Sequence, residues 1–347
     1  MECSNHQTPS SEGFALPNKV LLRGLKNFGK DEKDHGSLYI RNEFREYTLE
    51  YCSNGHSRSV KIDDKTPEWY WISNCCHGLV CVYNKNNVAI LIINPAIDDN
   101  FVKLSEVGIS NSNCKVIDVS LCYDDQTNKY KVVRFYCSSD ENGVGIEVLT
   151  LGDTTWRQVG EIGEKPASFA DAPHFVSGAM HWKAYDENIF FFKASEETFG
   201  LIECPSEDTD LDEDIMLRKS SNLTVYEDCL CIVRRHWHPW KLKFFVMEDY
   251  VNRVWIEHAF DLMKMDGTPF SDGEGFDRCP KDRSIEVQMG KFLLPEDSSP
   301  SRRYSQEKFY YYNPKTESFE NYVDTPQRDY QYKESFVSAQ KFCNKET

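Results

Sequence analysis

A hairpin pattern that returns along the chain constrains the fold more than any other feature. The stretch "CCHGLVCVYNKNNVAILIINP" (75–95) sets two short apolar runs around an Asn-rich tip and closes on Asn-Pro. An apolar strand, a short polar turn and a second strand recur in "VAILIINPAIDDNFVKL" (88–104), "IEVLTLGDTTWRQVG" (146–160), "IFFFKASEETFGLIECP" (189–205), "KFFVMEDYVNRVWIEHAF" (243–260) and "KFYYYNPKTESFENYV" (308–323). Phe, Ile, Val and Tyr crowd the runs, whereas Asn-Pro, Gly-Asp and Glu-Asp sit at the turns, as strands and tight turns require.

Turns aligned on Asn94, Gly152, Ala194, Glu248 and Asn313 lie 58, 42, 54 and 65 residues apart. Such intervals fit a unit of about four strands, the blade of a β-propeller. A second piece precedes each outer hairpin and reads as an inner strand pair: "HGLVCVYN" (77–84), "KYKVVRFYC" (129–137), "SGAMHWKAY" (177–185), "EDCLCIVRR" (227–235) and "MGKFLLPE" (289–296). "LYIRNEFREYTLEY" (38–51) reads as a sixth outer hairpin, and "ESFVSAQKF" (334–342) as the run that returns to close the ring. The expectation is an all-β, propeller-like ring of about six four-stranded blades, because closure removes exposed sheet edges. "DAPHFVSGAM" and "AFDLMKM" offer at most a turn or two of helix.

Composition narrows the partners. Hydrophobic residues make up 40% of the chain, a globular proportion. A net charge of −16 repels phosphate backbones and anionic lipid, so neither nucleic acid nor membrane is expected as a partner. The polar N-terminus carries no apolar signal segment and no run reaches bilayer-spanning length. Thirteen irregularly spaced cysteines then read as buried thiols in a reducing compartment, the cytoplasm or nucleus.

Taken in order, "CHGLVCVYN…ILIINPA" (76–96), "SLCYDDQTNKYKVVRF" (120–135), "IEVLTLGDTTWRQVG", "PHFVSGAMHW" (173–182), "IFFFKASEETFGLIECP", "LTVYEDCLCIV" (223–233), "FFVMEDYVNRVWIEHAF" (244–260), "FYYYNPKTESF" (309–319) and "YKESFVS" (332–338) resemble the F-box-associated region of plant F-box proteins. That group includes kelch-like and self-incompatibility-locus types, and the resemblance covers roughly residues 38–340. It implies a substrate receptor of an SCF-type (cullin–RING) ubiquitin ligase. In such a receptor an N-terminal three-helix F-box docks on a Skp-type linker and cullin, and the repeats hold the target protein.

One region departs from that family. "LPNKVLLRGL" (16–25) looks like the first F-box helix, with Pro17 in the first turn and Leu16, Val20, Leu21 and Leu25 as apolar docking positions. The following "KNFGKDEKDHGSLYI" (26–40) is polar, Gly-broken and too short for two more helices. Residues 1–35 therefore read as a polar segment with a truncated F-box-like helical remnant, 36–342 as the propeller-like domain and 343–347 as a tail. A lone helix of about ten residues is marginal in water. The alternative function is thus a free-standing interaction domain that has lost ligase docking.

Motifs for chemistry fail on their own terms. "SDGEGFD" (271–277) has glycines without the strand and helix that a nucleotide fingerprint needs. "DTDLDEDIMLRK" (208–219) imitates a calcium loop through Asp208, Asp210 and Asp212, but Glu213 replaces the required Gly and Lys219 the bidentate Glu. Cys75–Cys76 and Cys229-x-Cys231 lack a second ligand pair, and strand periodicity puts Cys229 and Cys231 on one face. No catalytic residue, cofactor or metal is expected, although propellers also house enzymes. Trp156, Trp182 and Trp255 read as packing between sheets. "RRHWHPW" (234–240) reads as an inter-strand loop whose Arg235, His236, Trp237, His238 and Trp240 are the candidate target-binding residues, since Trp and Arg dominate binding hot spots.

Overall fold

The computed structural model describes residues 35–43, 46–53, 56–62, 70–84, 89–97, 101–104, 114–138, 143–162, 169, 172–184, 188–205, 221–237, 240–261, 286–288, 291–295, 308–316, 318–324, 330–333 and 335–342. These belong to one compact unit spanning Glu32–Thr347. Among them, twenty-four strands form six four-stranded antiparallel sheets.

The second sheet runs β4 (Trp71–Cys76), β5 (Leu79–Tyr83), β6 (Ile90–Ile93) and β7 (Val102–Lys103). The third holds β8 (Cys114–Asp124), β9 (Lys129–Ser138), β10 (Val144–Thr150) and β11 (Arg157–Ile162). The fourth holds β12 (His174–Val176), β13 (Ala179–Lys183), β14 (Asn188–Lys193) and β15 (Thr198–Glu203). The fifth holds β16 (Asn222–Tyr226), β17 (Cys229–Trp237), β18 (Trp240–Asp249) and β19 (Val254–Asp261). The sixth holds β20 (Glu286–Gln288), β21 (Lys291–Pro295), β22 (Lys308–Asn313) and β23 (Ser318–Asp324). The first sheet is discontinuous. Its β1 (His35–Glu43), β2 (Glu46–Ser53) and β3 (His56–Ile62) come early in the chain, and β24 (Tyr330–Lys333) pairs with β1 to supply the innermost strand.

The second strands show why the sheets stack side by side. β5 and β13 are buried at every position. A strand is apolar throughout only when both faces of its sheet are covered. Val80 and Val82 of β5 face the first sheet, where they join Leu38, Leu49 and Tyr51. Leu79, Cys81 and Tyr83 face the third and meet Val119 and Leu121. Met180 and Trp182 pack back on Val133 and Phe135. Leu230 and Ile232 face Val176 and Ile189 of the fourth sheet, while Cys231 and Val233 face Phe292 and Tyr312 of the sixth. Five cores thus lie between successive sheets, and the architecture is a β-propeller of six four-stranded blades.

Polar side chains join the innermost strands where β4 is irregular between Ile72 and Cys75. Asn74 acts as a surrogate peptide: its Nδ2 donates to Leu121 O at 2.7 Å and its Oδ1 accepts from Leu121 N at 2.8 Å. Ser73 Oγ donates to Val119 O and lies 3.4 Å from Ser120 Oγ. Ser120 Oγ also accepts from Trp182 Nε1 at 3.1 Å, so one polar relay crosses three blades.

Several sequence expectations need correction. The hairpin at 38–51 is not an outer one: β1 and β2 are the second and third strands of their sheet, and β3 is the outer strand. Ring closure falls to β24, four residues that end just before the expected 334–342 run. Residues 335–338 are irregular and Gln340–Phe342 form one 3-10 turn. "DAPHFVSGAM" carries β12, a two-residue turn and the start of β13, with no helix in its described residues. Trp156 lies one residue before β11, and the other two tryptophans are on strands facing the expected inter-sheet cores. The helical remnant at 16–25, the tail at 343–347, the acidic loop at 208–219 and the glycine loop at 271–277 lie outside the described residues.

Replacing Asn74 by Ala strands a buried N–H and a buried C=O of Leu121. The expected cost is about 1–3 kcal/mol, read as a lowered denaturant midpoint with an unchanged slope. A shift within about 0.5 kcal/mol, the range of an ordinary surface substitution, contradicts the bridging role.

Candidate functional site

Antiparallel order gives each blade two unlike ends. At one end lie tight turns between strands one and two and between strands three and four. His77–Gly78, Ser177–Gly178 and Glu227–Asp228 all have positive φ, the two-residue hairpin turn whose twist matches its strands. Asn94, Asp249 and Asn313 each accept a hydrogen bond from the backbone N–H two residues on, which fixes three outer turns. At the opposite end strand two gives way to strand three, and strand four leaves for the next blade.

The β17–β18 hairpin reaches that second end. Its base is held by Arg234, buried at 1% exposure, whose Nη2 donates to Pro205 O at 2.6 Å and whose guanidinium lies 5.0 Å from the Phe245 ring centroid. Register then pairs Arg235 with Leu242, His236 with Lys241 and Trp237 with Trp240. The expected inter-strand loop is therefore largely strand, and only residues 238–239 separate β17 from β18. Arg235, His236, Trp237 and Trp240 share this one hairpin end. His238 lies outside the described residues, as do Leu16, Pro17, Val20, Leu21 and Leu25.

Sequence reasoning missed Trp71. It opens β4 at the corresponding end of the second blade and stays 50% exposed. The signal was the aromatic run "EWYW" (68–71), immediately before a strand whose Ser73 and Asn74 masked its apolar character.

Ionisable groups brace the third blade and tie it to the fourth. Lys131 Nζ donates to Ala194 O at 2.7 Å and pairs with Asp124 at 2.9 Å and Glu197 at 3.0 Å, which joins the third blade to the fourth. Arg157 grips Glu197 with both terminal nitrogens, and with Lys131 it holds that carboxyl at about 2. Arg134, fully buried, donates from Nε to Glu147 Oε2 at 2.7 Å beneath the Trp156 ring, 3.9 Å away. Burial pushes the Cys75 thiol up to about 12 and raises Cys229, so both are poor thiolates. Cys229 and Cys231 do share a face, toward the core between the fifth and sixth blades.

His181 is the odd member of this set. Its ring is fully buried, Nδ1 lies 3.3 Å from His174 O, and Nε2 has no hydrogen-bond partner beside the edge-on Tyr250 ring. Burial holds it neutral down to about 3.

Residues 36–342 match the F-box-associated β-propeller domain, and the chain belongs to that family. A putative F-box protein of Arabidopsis thaliana is 26% identical over 281 residues, covering 72% of this chain and 60% of that protein. An Arabidopsis F-box/kelch-repeat protein is 22% identical over 194 residues, covering 52% of each. The chain thus spans half to three-fifths of the length of these curated relatives. Among solved structures, the WD40 β-propeller domain of Doa1 superposes with a TM-score of 0.43 at 14% identity, covering 86% of this chain and 82% of that one. A 6-phosphogluconolactonase homologue from Bacteroides uniformis gives 0.42 at 10% identity, covering 85% and 83%.

The depressed histidine has a thermodynamic consequence. Unfolded, His181 takes up a proton near its ordinary 6.5, whereas folded it stays neutral to about 3. Acid therefore favours the unfolded chain, and this contribution to stability is lost as pH falls from about 6.5 toward 3. Glu197 acts in the same direction in a lower window, between the ordinary carboxylate range and about 2. One extra proton taken up on unfolding is worth about 1.4 kcal/mol per pH unit. Denaturant titrations between pH 6.5 and 5 should show His181→Phe less pH-sensitive than the parent by about that slope; parallel profiles contradict the assignment.

Proposed function

We propose that this chain is the target-holding component of an SCF-type ubiquitin ligase. The observation that carries the reading is the family match over residues 36–342, supported by relatives that are themselves named F-box proteins. On this reading the propeller makes and breaks no bonds and needs no cofactor. It raises the concentration of a bound target near the ubiquitin-carrying subunit, a tethering effect. The target binds at the loop ends of the blades, where the paired Trp237 and Trp240 and the half-exposed Trp71 supply aromatic anchors. The Skp-type linker and cullin are the remaining partners, in the cytoplasm or nucleus.

A second reading is favoured by one specific observation. β1 begins at His35, so only residues 26–34 separate the helix-like segment 16–25 from the propeller. That interval is too short for two further helices with their turns. Without them the domain binds its target but does not deliver it, and acts as a competitor of complete receptors.

Affinity capture of the tagged chain, followed by mass spectrometry, separates the two. Recovery of linker, cullin and client supports the ligase reading. Recovery of a client alone, with linker restored by grafting an intact F-box before residue 35, supports the competitor. Failure to capture any client, with Trp237→Ala/Trp240→Ala no different from the parent, overturns both.

A further inference from the structure

The chain does not end its path at β24. Residues 335–342 leave the first blade and cross the tight-turn side of the second and third without joining a sheet. We propose that they form a releasable strap, seated in a peptide-recognition groove that the chain fills with its own C-terminal segment. This inference is independent of the ligase reading.

The manner of holding carries the argument. One side chain grips the strap's backbone: Asn94 Nδ2 donates to Ser335 O at 2.9 Å and to Val337 O at 2.7 Å. Its Oδ1 meanwhile accepts from Ala96 N at 3.0 Å, which fixes the amide's orientation. Alternate carbonyls of an irregular segment, read by a fixed amide, are recognised whatever their side chains. Two glycines let the backbone come close. A Cβ on Gly78 would collide with Ser335 Oγ, and one on Gly152 with Phe342 O; both residues have positive φ, +81° and +100°.

Side-chain selection rests on Val337, Ala339 and Phe342, which pack on the core between the second and third blades. Ala339 is buried at 1% exposure in the core between the second and third blades. Phe342 packs edge-on against Tyr130, with ring centroids 5.0 Å apart, and Tyr130 is braced by Tyr123 at 4.9 Å. By contrast Phe336 is 72% exposed. The groove therefore accepts an irregular segment that closes in one 3-10 turn, with a small residue and an aromatic three positions later across that turn.

Release is local. The strap contributes no ladder hydrogen bonds to the sheets, and one residue joins it to β24, so it can lift while β24 stays paired with β1. Apart from the Asn94 grip, the described holding is side-chain packing at Val337, Ala339 and Phe342, and the ordering entropy of eight residues opposes it, so the segment can open below the global unfolding free energy.

Two measurements test this on the full chain. In native-state hydrogen exchange, strap amides should exchange at least about 100-fold faster than those of β5 and β9, consistent with local opening. Exchange only in step with those strands overturns the proposal. The second uses Ala339→Asp/Phe342→Ala, which disables the strap and leaves the groove intact. A fluorescent peptide of sequence 335–347, with Ser at Cys343, should bind this variant saturably. It should bind the parent, whose groove is filled, about tenfold more weakly. Adding Gly152→Val should abolish binding. A folded variant that binds no peptide, binding indifferent to Gly152→Val, or a variant that cannot fold without its strap each contradicts a releasable segment.

Discussion

The second to fifth sheets of this protein are each buried on both faces by their neighbours, and the remaining architecture follows from that constraint. A four-stranded sheet with one apolar face would settle as a sandwich half. Here the second strands alternate their side chains between two cores, as Leu79, Cys81 and Tyr83 do against Val80 and Val82. A blade alone would leave one of those faces wet, so the blades are stable only as a series. The same dependence explains the charged ties at the third and fourth blades, where Lys131 reaches a carbonyl and a carboxylate of the next turn. Such groups are buried at acceptable cost because each is paired and hydrogen-bonded.

The constraint also sets where function can sit. Strand interiors are committed to packing, so variable chemistry belongs to the ends of the blades. The tight-turn end is spent on short hairpins, inter-blade ions and the C-terminal segment. The opposite end carries the longer connections and the tryptophan-bearing β17–β18 tip, which Arg234 anchors from below.

Much of this was legible in the sequence, for identifiable reasons. Outer hairpins such as 189–205 announce themselves through unbroken aromatic and β-branched runs on either side of a turn. Innermost strands are harder, because Ser73 and Asn74 find backbone partners on β8, a contact between strands far apart in sequence. "YQYK" (330–333) looks too polar to close a ring, and the more apolar "SFVSAQKF" looks better suited. Pairing with β1 decides in favour of the first, and the Asn94 side chain takes the backbone of the second. The "RRHWHPW" stretch reads as loop because of its Pro and His content, yet the β17–β18 register continues to Trp237 and Trp240.

The two ends of the domain share one sheet. Because β1 and β24 pair Ser37 with Gln331 and Gly36 with Tyr332, cysteines introduced at each pair in turn test the closure directly. Adjacent antiparallel pairs alternate in spacing, so one of the two should suit a disulfide. The account predicts an oxidised monomer, cross-linked at one of these pairs by peptide mapping, with a melting temperature that falls on reduction. Absence of either intramolecular bond, or cross-links only between molecules, would contradict it.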